Sequence, residues 1–179
     1  MKKSQKIACG GLITALAIVL MISSNLIPSL LFSLPALAGM VIYTLSVVSG
    51  GGYALISYAA VSLLSFFFCG SKAVSLCFIL FLGYYPLLKK QIEKLRSRLA
   101  AYIVKLLVFN AAAAAVYALL TFVFSSPVFT RWLGEKWLII PLIFALNIVF
   151  LLFDICLTMF FKKYEKIIYN IVTKLIGRF

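Results

Sequence analysis

A short basic segment, Lys89–Arg98, separates two long apolar stretches and constrains the orientation of the whole chain. Its sequence, KKQIEKLRSR, carries five positive charges and one negative charge. Short loops rich in Lys and Arg stay on the cytoplasmic side of a membrane. A solvated helix of a soluble domain could carry similar charges, but the flanking segments are too apolar to border water. The segment therefore indicates a cytoplasmic loop of an integral membrane protein.

The apolar stretches themselves predict membrane-spanning helices. The chain of 179 residues is 65% hydrophobic and 12% charged, with a mean hydropathy of +1.16. Lipid offers no hydrogen-bond partner to backbone amides, so each spanning segment must satisfy its own as a helix. The apolar residues run continuously and do not alternate with polar ones as they would in a membrane barrel. The expected fold class is an all-α membrane protein.

Proline, glycine and charge divide the apolar residues into six expected transmembrane helices, which form a domain over residues 1–161. A cleavable signal peptide is the alternative for the first of them, but its apolar run is about twice the usual 7–15 residues. The six expected spans are Ile7–Ile27, Leu30–Val48, Tyr53–Phe68, Ala73–Leu88, Leu99–Phe124 and Leu138–Phe161.

The distribution of basic residues predicts how these spans are oriented. Six spans put both termini and Lys89–Arg98 on one side, which the charge asymmetry assigns to the cytoplasmic face of the plasma membrane. Fourteen of the 17 Lys and Arg residues then lie inside, and three lie outside: Lys72, Arg131 and Lys136. The net charge of +13 thus predicts contact with anionic lipids of the inner leaflet. It gives no reason to expect a nucleic-acid partner.

Residues 162–179 are expected to form a second element, a basic amphipathic helix. Apolar residues recur there at the i, i+3, i+4, i+7 spacing of one helical face, and Lys and Arg occupy the other. Such a helix lies in the inner membrane interface or docks on a partner protein. The apolar face comprises Tyr164, Ile167, Ile168, Ile171, Val172, Leu175, Ile176 and Phe179.

The residue inventory argues against an enzyme. The chain has no histidine and only four acidic residues, so no serine or cysteine has an imidazole to activate it. The four cysteines show no Cys-x-x-Cys spacing, and no glycine-rich phosphate loop is present. We therefore expect no metal site, no disulfide framework and no cofactor, and any energy must come from a partner or a gradient.

Polar stripes inside the last two spans are the main candidates for function. On the sixth span, Asn147, Asp154 and Thr158 face one direction. On the fifth, Asn110, Tyr117 and Thr121 repeat the same spacing. These residues could bind a ligand, or they could hold helices together by interhelical hydrogen bonds.

Asp154 is expected to form an intramembrane ion pair with Lys105. Counted at about 1.5 Å per residue, both lie roughly 10 Å from the cytoplasmic surface, while Asn110 lies about 16 Å deep. An unpaired charge at that depth costs several kcal/mol. The depth indicates a structural or coupling role for Asp154, and it makes Asn147, nearer the middle of the membrane, the better ligand candidate.

Two further features allow either a structural or a functional interpretation. The expected outer loop carries Arg131 and Trp132, which suit an interfacial aromatic belt or a lid over an outward-facing pocket. On the first span, Ala8, Gly11 and Ala15 form a stripe of small residues that lets another helix approach closely. That helix could belong to this chain or to a partner.

The six spans, the basic amino end and the small-residue stripe resemble the substrate-binding S component of energy-coupling factor vitamin transporters. The stretch from Ser62-Leu-Leu-Ser-Phe to Phe81-Leu-Gly-Tyr-Tyr-Pro-Leu-Leu-Lys-Lys also resembles a group of small bacterial membrane proteins placed near that family. The likeness covers mainly the first four spans. It implies that the stripe, here Gly11-x-x-x-Ala15 where the family has Ala-x-x-x-Ala, meets a transmembrane coupling subunit driven by two ATPases. It also implies a vitamin-like ligand near the outer face.

Two functions are therefore expected from different classes. The first is the substrate-binding subunit of such an importer, with Asn147, Asn110, Tyr117, Trp132 and Arg131 as candidate ligand contacts. The second is a membrane scaffold without transport activity, similar to the small integral subunit of the rod-shape machinery. The two differ in whether the polar stripes enclose a pocket that is open to the outside.

Overall fold

The computed structural model describes residues 3–93, 97–123 and 136–176, and all of its regular structure in these ranges is helical. A 3₁₀ turn at Pro28–Leu30 precedes α2, a π-helical segment at Phe78–Leu82 joins α4 to α5, and a second one at Leu119–Val123 follows α6. The helices are α1 (Lys3–Ser23), α2 (Ser33–Val48), α3 (Gly51–Phe68), α4 (Lys72–Cys77), α5 (Tyr85–Ile92), α6 (Arg98–Ala118) and α7 (Lys136–Ile176).

Five helical stretches in the described part of the chain are long and apolar enough to cross a membrane, as expected for a multi-pass membrane protein. The remaining expected span, Leu30–Val48, corresponds to α2, which has 16 residues. At 1.5 Å per residue α2 is roughly 24 Å long, below the roughly 30 Å of a hydrocarbon core. It is shorter than expected because Pro28 begins a separate 3₁₀ turn and α2 starts only at Ser33. The five long stretches are Lys3–Ser23, Gly51–Phe68, Lys72–Ile92, Leu99–Phe122 and Ile140–Lys163.

The first three helices pack together and form one apolar core. Gly50, with φ of +102°, makes the tight connection between α2 and α3, a backbone conformation that glycine adopts without steric cost. Met21 of α1, Ile42 of α2 and Val61 of α3 are all fully buried in this core. Phe78, which follows α4 at the start of the first π-helical segment, is also fully buried in this core.

The first π-helical segment is held by the close approach of two neighbouring helices. A π turn changes the hydrogen-bond pattern of the backbone. In this segment the carbonyl oxygen of Ile79 accepts a hydrogen bond from the Tyr58 hydroxyl of α3. Gly39 of α2 lies against the same segment: a Cβ there would come within 2.2 Å of the Leu82 carbonyl oxygen. A Cβ on Gly83 would lie 2.7 Å from the Tyr58 ring. The absence of side chains at both glycines therefore allows this packing.

A second core, rich in aromatic rings, joins the π-helical segment to α5, α6 and α7. Phe109 of α6 and Phe150 of α7 stack with ring centroids 4.6 Å apart and an interplanar angle of 9°. Phe81 meets both rings edge-on, at 5.3 and 5.7 Å. Tyr85, which is fully buried, packs on Phe81 at 4.6 Å. This core fixes the relative positions of the three helices that carry the buried charges.

Lysines from three helices gather at one end of the bundle. At one end lie the start of α1, where Lys6 stands 5.8 Å from the Tyr53 ring, and Lys90 of α5, which shares a cleft with Lys162 of α7. At the other end, the Asn25 side chain joins the connection between α1 and α2 to the connection between α3 and α4. It accepts a hydrogen bond from the Ser71 amide, 3.1 Å away, and donates one to Cys69. We call the first end the basic end.

The chain beyond residue 161 continues α7 without a break. The structure has one helix of 41 residues from Lys136 to Ile176, where we expected a span and a separate element beginning at residue 162. Lys162, Lys163 and Ile167 are exposed on it. Most other side chains of this segment lie outside the described residues, so its amphipathic character stays a prediction.

Candidate functional site: a buried charge cluster

Asp154 of α7 lies at the centre of a cluster of charged and polar side chains near the basic end. Its Oδ2 atom is 3.0 Å from Lys105 Nζ of α6. Its Oδ1 atom accepts a hydrogen bond from Lys89 Nζ of α5 and another, 2.6 Å long, from the Tyr85 hydroxyl. The structure thus brings Asp154 and Lys105 together, and it adds two partners that we did not expect.

Of the two lysines, Lys89 donates more hydrogen bonds in this cluster. Its ammonium group donates to the Asp154 carboxylate, to the main-chain oxygen of the same residue and to Thr158 Oγ1, the last at 2.7 Å. These three bonds match the three donors of an ammonium group. The side chain is 0% exposed, which is rare for lysine unless it is paired.

The position of Lys89 corrects its interpretation as part of a cytoplasmic loop. Helix α5 extends to Ile92, so Lys89 continues a helix and does not belong to a connection. Tyr85, Lys89 and Glu93 are spaced four residues apart, which places them on one helical face. Asp154 and Thr158 have the same spacing on α7. This double i, i+4 pattern is the sequence signal that would have identified Lys89.

Glu93 completes the charge balance. One of its carboxylate oxygens lies 3.0 Å from Lys105 Nζ and 3.6 Å from Lys89 Nζ. Its side chain is 41% exposed, whereas those of the other three charged residues are nearly or fully buried. Two lysines therefore face two carboxylates, and the cluster of four has no net formal charge. Neutrality matters because an unpaired ion in a low-dielectric interior costs several kcal/mol.

The cluster connects the three carboxyl-terminal helices that the aromatic core also joins. Lys89 belongs to α5, Lys105 to α6 and Asp154 to α7, so the Asp154 carboxylate bridges all three. Its groups offer proton binding and electrostatic coupling, but no nucleophile with a base beside it. The described residues contain no group of three or more side chains suited to a metal ion.

Asn110 and Asn147 pair with each other on the surface of the bundle. Asn110 Nδ2 donates to Asn147 Oδ1 at 3.0 Å, and Asn147 Nδ2 donates to Asn110 Oδ1 at 3.3 Å. The remaining amide hydrogens go to the carbonyl oxygens of Leu106 and Ile143, both at 2.8 Å. All four donors are therefore used within α6 and α7. This geometry gives the pair a helix-pairing role, and ligand binding by Asn147 stays a prediction.

A double-mutant cycle is expected to detect this pairing. The variants Asn110→Leu, Asn147→Leu and the double variant should show a coupling free energy of about 0.6–1.7 kcal/mol, the range of interhelical hydrogen bonds in membranes. The measurement is unfolding of the purified protein in mixed micelles. Strictly additive losses would contradict the pairing. The pair Asn110→Leu and Thr44→Val serves as a control, because Thr44 bonds only within α2, to Val41.

The other candidate ligand contacts are not brought into one site by the described residues. Tyr117 is 38% exposed on α6. Arg131 and Trp132 lie outside the described residues. Two clefts in the described part of the chain are lined by residues of the basic end, and both include Lys90.

The small-residue stripe on α1 lies on the outward face of the bundle. Ala8, Gly11 and Ala15 are exposed, and no atom lies within 4 Å of a Cβ built on Gly11. The neighbouring residues Gly10 and Ala17 face α2 and α3 instead. The three residues of the stripe are thus exposed in the described part of the chain, and docking of a partner helix on them stays a prediction.

Comparisons with known proteins add no relative to this description: the sequence matches no protein-family model and no curated protein, and the fold matches no solved structure.

Proposed function

We propose that this protein is a non-enzymatic subunit of a membrane complex and that a partner transmembrane protein docks on the outward face of α1. The observation that carries the proposal is the uncovered stripe of Ala8, Gly11 and Ala15. Small residues let two helix backbones approach closely, which is the main source of helix association in lipid. Leu12, Leu16 and Val19, all at least half exposed, border the stripe and would enlarge the contact.

The specific form that we favour is the substrate-binding subunit of an energy-coupling factor importer for a small, vitamin-like nutrient. In this form the partner on α1 is a transmembrane coupling subunit energised by ATPases. The support is the resemblance of the first four spans together with the exposure of the stripe. Asn147, Asn110, Tyr117, Arg131 and Trp132 are the candidate ligand contacts in this form.

A membrane scaffold without transport activity is the second candidate. One observation favours it: Asn110 and Asn147 use their amide donors on each other and on neighbouring carbonyl oxygens, whereas a nutrient importer needs polar groups that can reach a ligand. In the scaffold form, a partner binds the same α1 surface, so identifying that partner separates the two forms.

In either form we propose a plasma-membrane protein with both termini and the basic end in the cytoplasm. The support is the gathering of Lys6, Lys90 and Lys162 at one end of the bundle, which agrees with the positive-inside rule. In a variant without native cysteines, a cysteine at Lys136 should react with an impermeant reagent in intact cells. A cysteine at Lys94 should not, and labelling there would reverse the orientation.

Copurification tests the docking surface. The variant Gly11→Leu/Ala15→Leu should lose its partner from a gentle detergent extract by at least about tenfold, because two isobutyl groups hold the helices apart. The matched control is Ala111→Leu/Ala114→Leu, which adds similar bulk to exposed positions of α6. Thermal unfolding of the isolated protein should be unchanged in both variants.

The identity of the partner distinguishes the two forms. A coupling subunit with ATPases, and a metabolite retained in native mass spectrometry, would support the importer. A partner without ATPases and no retained metabolite would support the scaffold. Equal recovery of the partner from both variants would overturn docking on α1 altogether.

A further inference from the structure

The helical stretch from Lys72 to Ile92 carries one stripe of buried residues that the structure divides between two cores. At about 100° per residue, an uninterrupted α-helix would place the whole stripe within an arc of about 80°. In the structure, Val74 and Phe78 lie in the core of α1–α3, whereas Phe81 and Tyr85 lie in the aromatic core. The change of side takes place within the π-helical segment Phe78–Leu82. The stripe consists of Val74, Phe78, Phe81, Tyr85 and Lys89.

The π turn contains one residue more than a turn of α-helix. The carbonyl oxygen of Phe78 accepts a hydrogen bond from the amide of Gly83, five residues further on, at 2.8 Å. Every residue after the segment is therefore turned back by about 100° relative to a continuous α-helix. This extra residue decides which side chain of α5 faces Asp154. With the π turn that side chain is Lys89, and a continuous α-helix of the same sequence would put Leu88 there.

Tyr58 of α3 holds the π turn in place. In an α-helix the Gly83 amide would donate to the carbonyl oxygen of Ile79, but here it donates to Phe78. The Tyr58 hydroxyl donates to the Ile79 oxygen instead. The Tyr58 ring also lies against Gly83, where a Cβ would come within 2.7 Å of it. A residue of the first core thus sets the register of the helix that carries Lys89.

We propose that the π turn is a register switch for the charge cluster, with Tyr58 as its positioning residue. Relaxation of the turn to α-helix transfers the Ile79 carbonyl oxygen from the Tyr58 hydroxyl to the Gly83 amide and advances α5 by one residue. Lys89 then leaves Asp154, and Leu88 takes its place.

Two observations support a switch over a fixed irregularity. Tyr84 precedes Tyr85, so the relaxed register keeps a tyrosine at that place and exchanges only the lysine. π turns are also rare and occur frequently at functional sites. The proposal is independent of the partner proposed for α1.

Cysteine labelling reports the register of α5. Ile92 is 6% exposed, and its neighbour Gln91 is exposed. Gln91→Cys and Ile92→Cys are made separately in a background without the native cysteines. A buried thiol reacts only when the structure opens locally, so Gln91→Cys should react with a water-soluble maleimide at least about tenfold faster.

Two variants move or remove the extra residue. In Leu88→Lys/Lys89→Leu only the relaxed register brings a lysine to Asp154, so the order should reverse and Ile92→Cys should become the faster probe. Deletion of Leu80 allows an α-helix without a change of register, so Gln91→Cys should stay faster. Leu80→Ala is the control, because it removes most of the side chain and keeps the π turn.

Tyr58→Phe provides a measurement that does not depend on labelling. It should lower the midpoint of thermal unfolding in the Leu80→Ala control, and by less in the deletion variant, where the Gly83 amide can bond to Ile79. Equal decreases in the two backgrounds would overturn the proposal, even if the exchange variant does not fold. An unchanged order of reactivity in a folded exchange variant, or a faster Ile92→Cys in the deletion variant, would also overturn it.

Discussion

Replacing Asp154 with leucine is expected to lower the free energy of unfolding by about 3–5 kcal/mol, the cost of removing one partner from a buried ion pair. The substitution leaves the ammonium groups of Lys89 and Lys105 without the carboxylate that both of them contact. It also removes the acceptor of the Tyr85 hydroxyl. Unfolding in mixed micelles, followed by circular dichroism, measures the loss.

Second substitutions on the Asp154→Leu background should recover part of this loss, and by unequal amounts. Lys105→Leu should recover some stability, but Lys105 keeps Glu93 at 3.0 Å even without Asp154. Lys89→Leu should recover more, because Lys89 is fully buried and its distance to Glu93 is 3.6 Å. Additive losses in both double variants would contradict the cluster as an electrostatic unit.

Glu93→Gln provides the control for this series. Its carboxylate is partly exposed and both lysines keep Asp154 as a partner, so its removal should cost no more than about 1 kcal/mol, as for surface ion pairs. A loss as large as that of Asp154→Leu would mean that the two carboxylates contribute equally, which would contradict the central role of Asp154.

Replacing Gly39 with alanine is expected to be the most damaging glycine-to-alanine substitution among the described glycines. The new Cβ would lie 2.2 Å from the Leu82 carbonyl oxygen, and backbone cannot rotate away as a side chain can. Overpacking of this kind costs about 1–3 kcal/mol and occasionally more. Thermal unfolding in detergent should show a clear decrease in the midpoint.

Gly11→Ala is the matched control, since it makes the same chemical change in α1 where no atom lies within 4 Å of the new Cβ. Alanine is a better helix former than glycine by about 1 kcal/mol, so this variant should be neutral or slightly more stable. Similar behaviour of the two variants would show that α2 does not pack closely on the π-helical segment.

The sequence predicts the helices well because continuous apolar runs leave few alternatives in a membrane. Counting residues from one end of each expected span predicts Asp154 and Lys105 in the same layer, and the structure puts them 3.0 Å apart. Lys89 was not predicted because charge counting assigned it to the basic segment, and the end of a helix in a charged stretch has no sharp signal. The π-helical segment likewise has no sequence signature, since Phe78–Leu82 is compatible with an ordinary α-helix.

The unbroken course of α7 has a mechanical consequence. Neither glycine nor proline occurs between Asp154 and Ile176, so no residue type that commonly kinks a helix interrupts it. The 22 residues beyond Asp154 span roughly 33 Å at 1.5 Å per residue. The helix is therefore one continuous segment that two lysines hold to α5 and α6 at Asp154. A displacement of the far end of α7 would therefore be carried along one continuous helix to the charge cluster at Asp154.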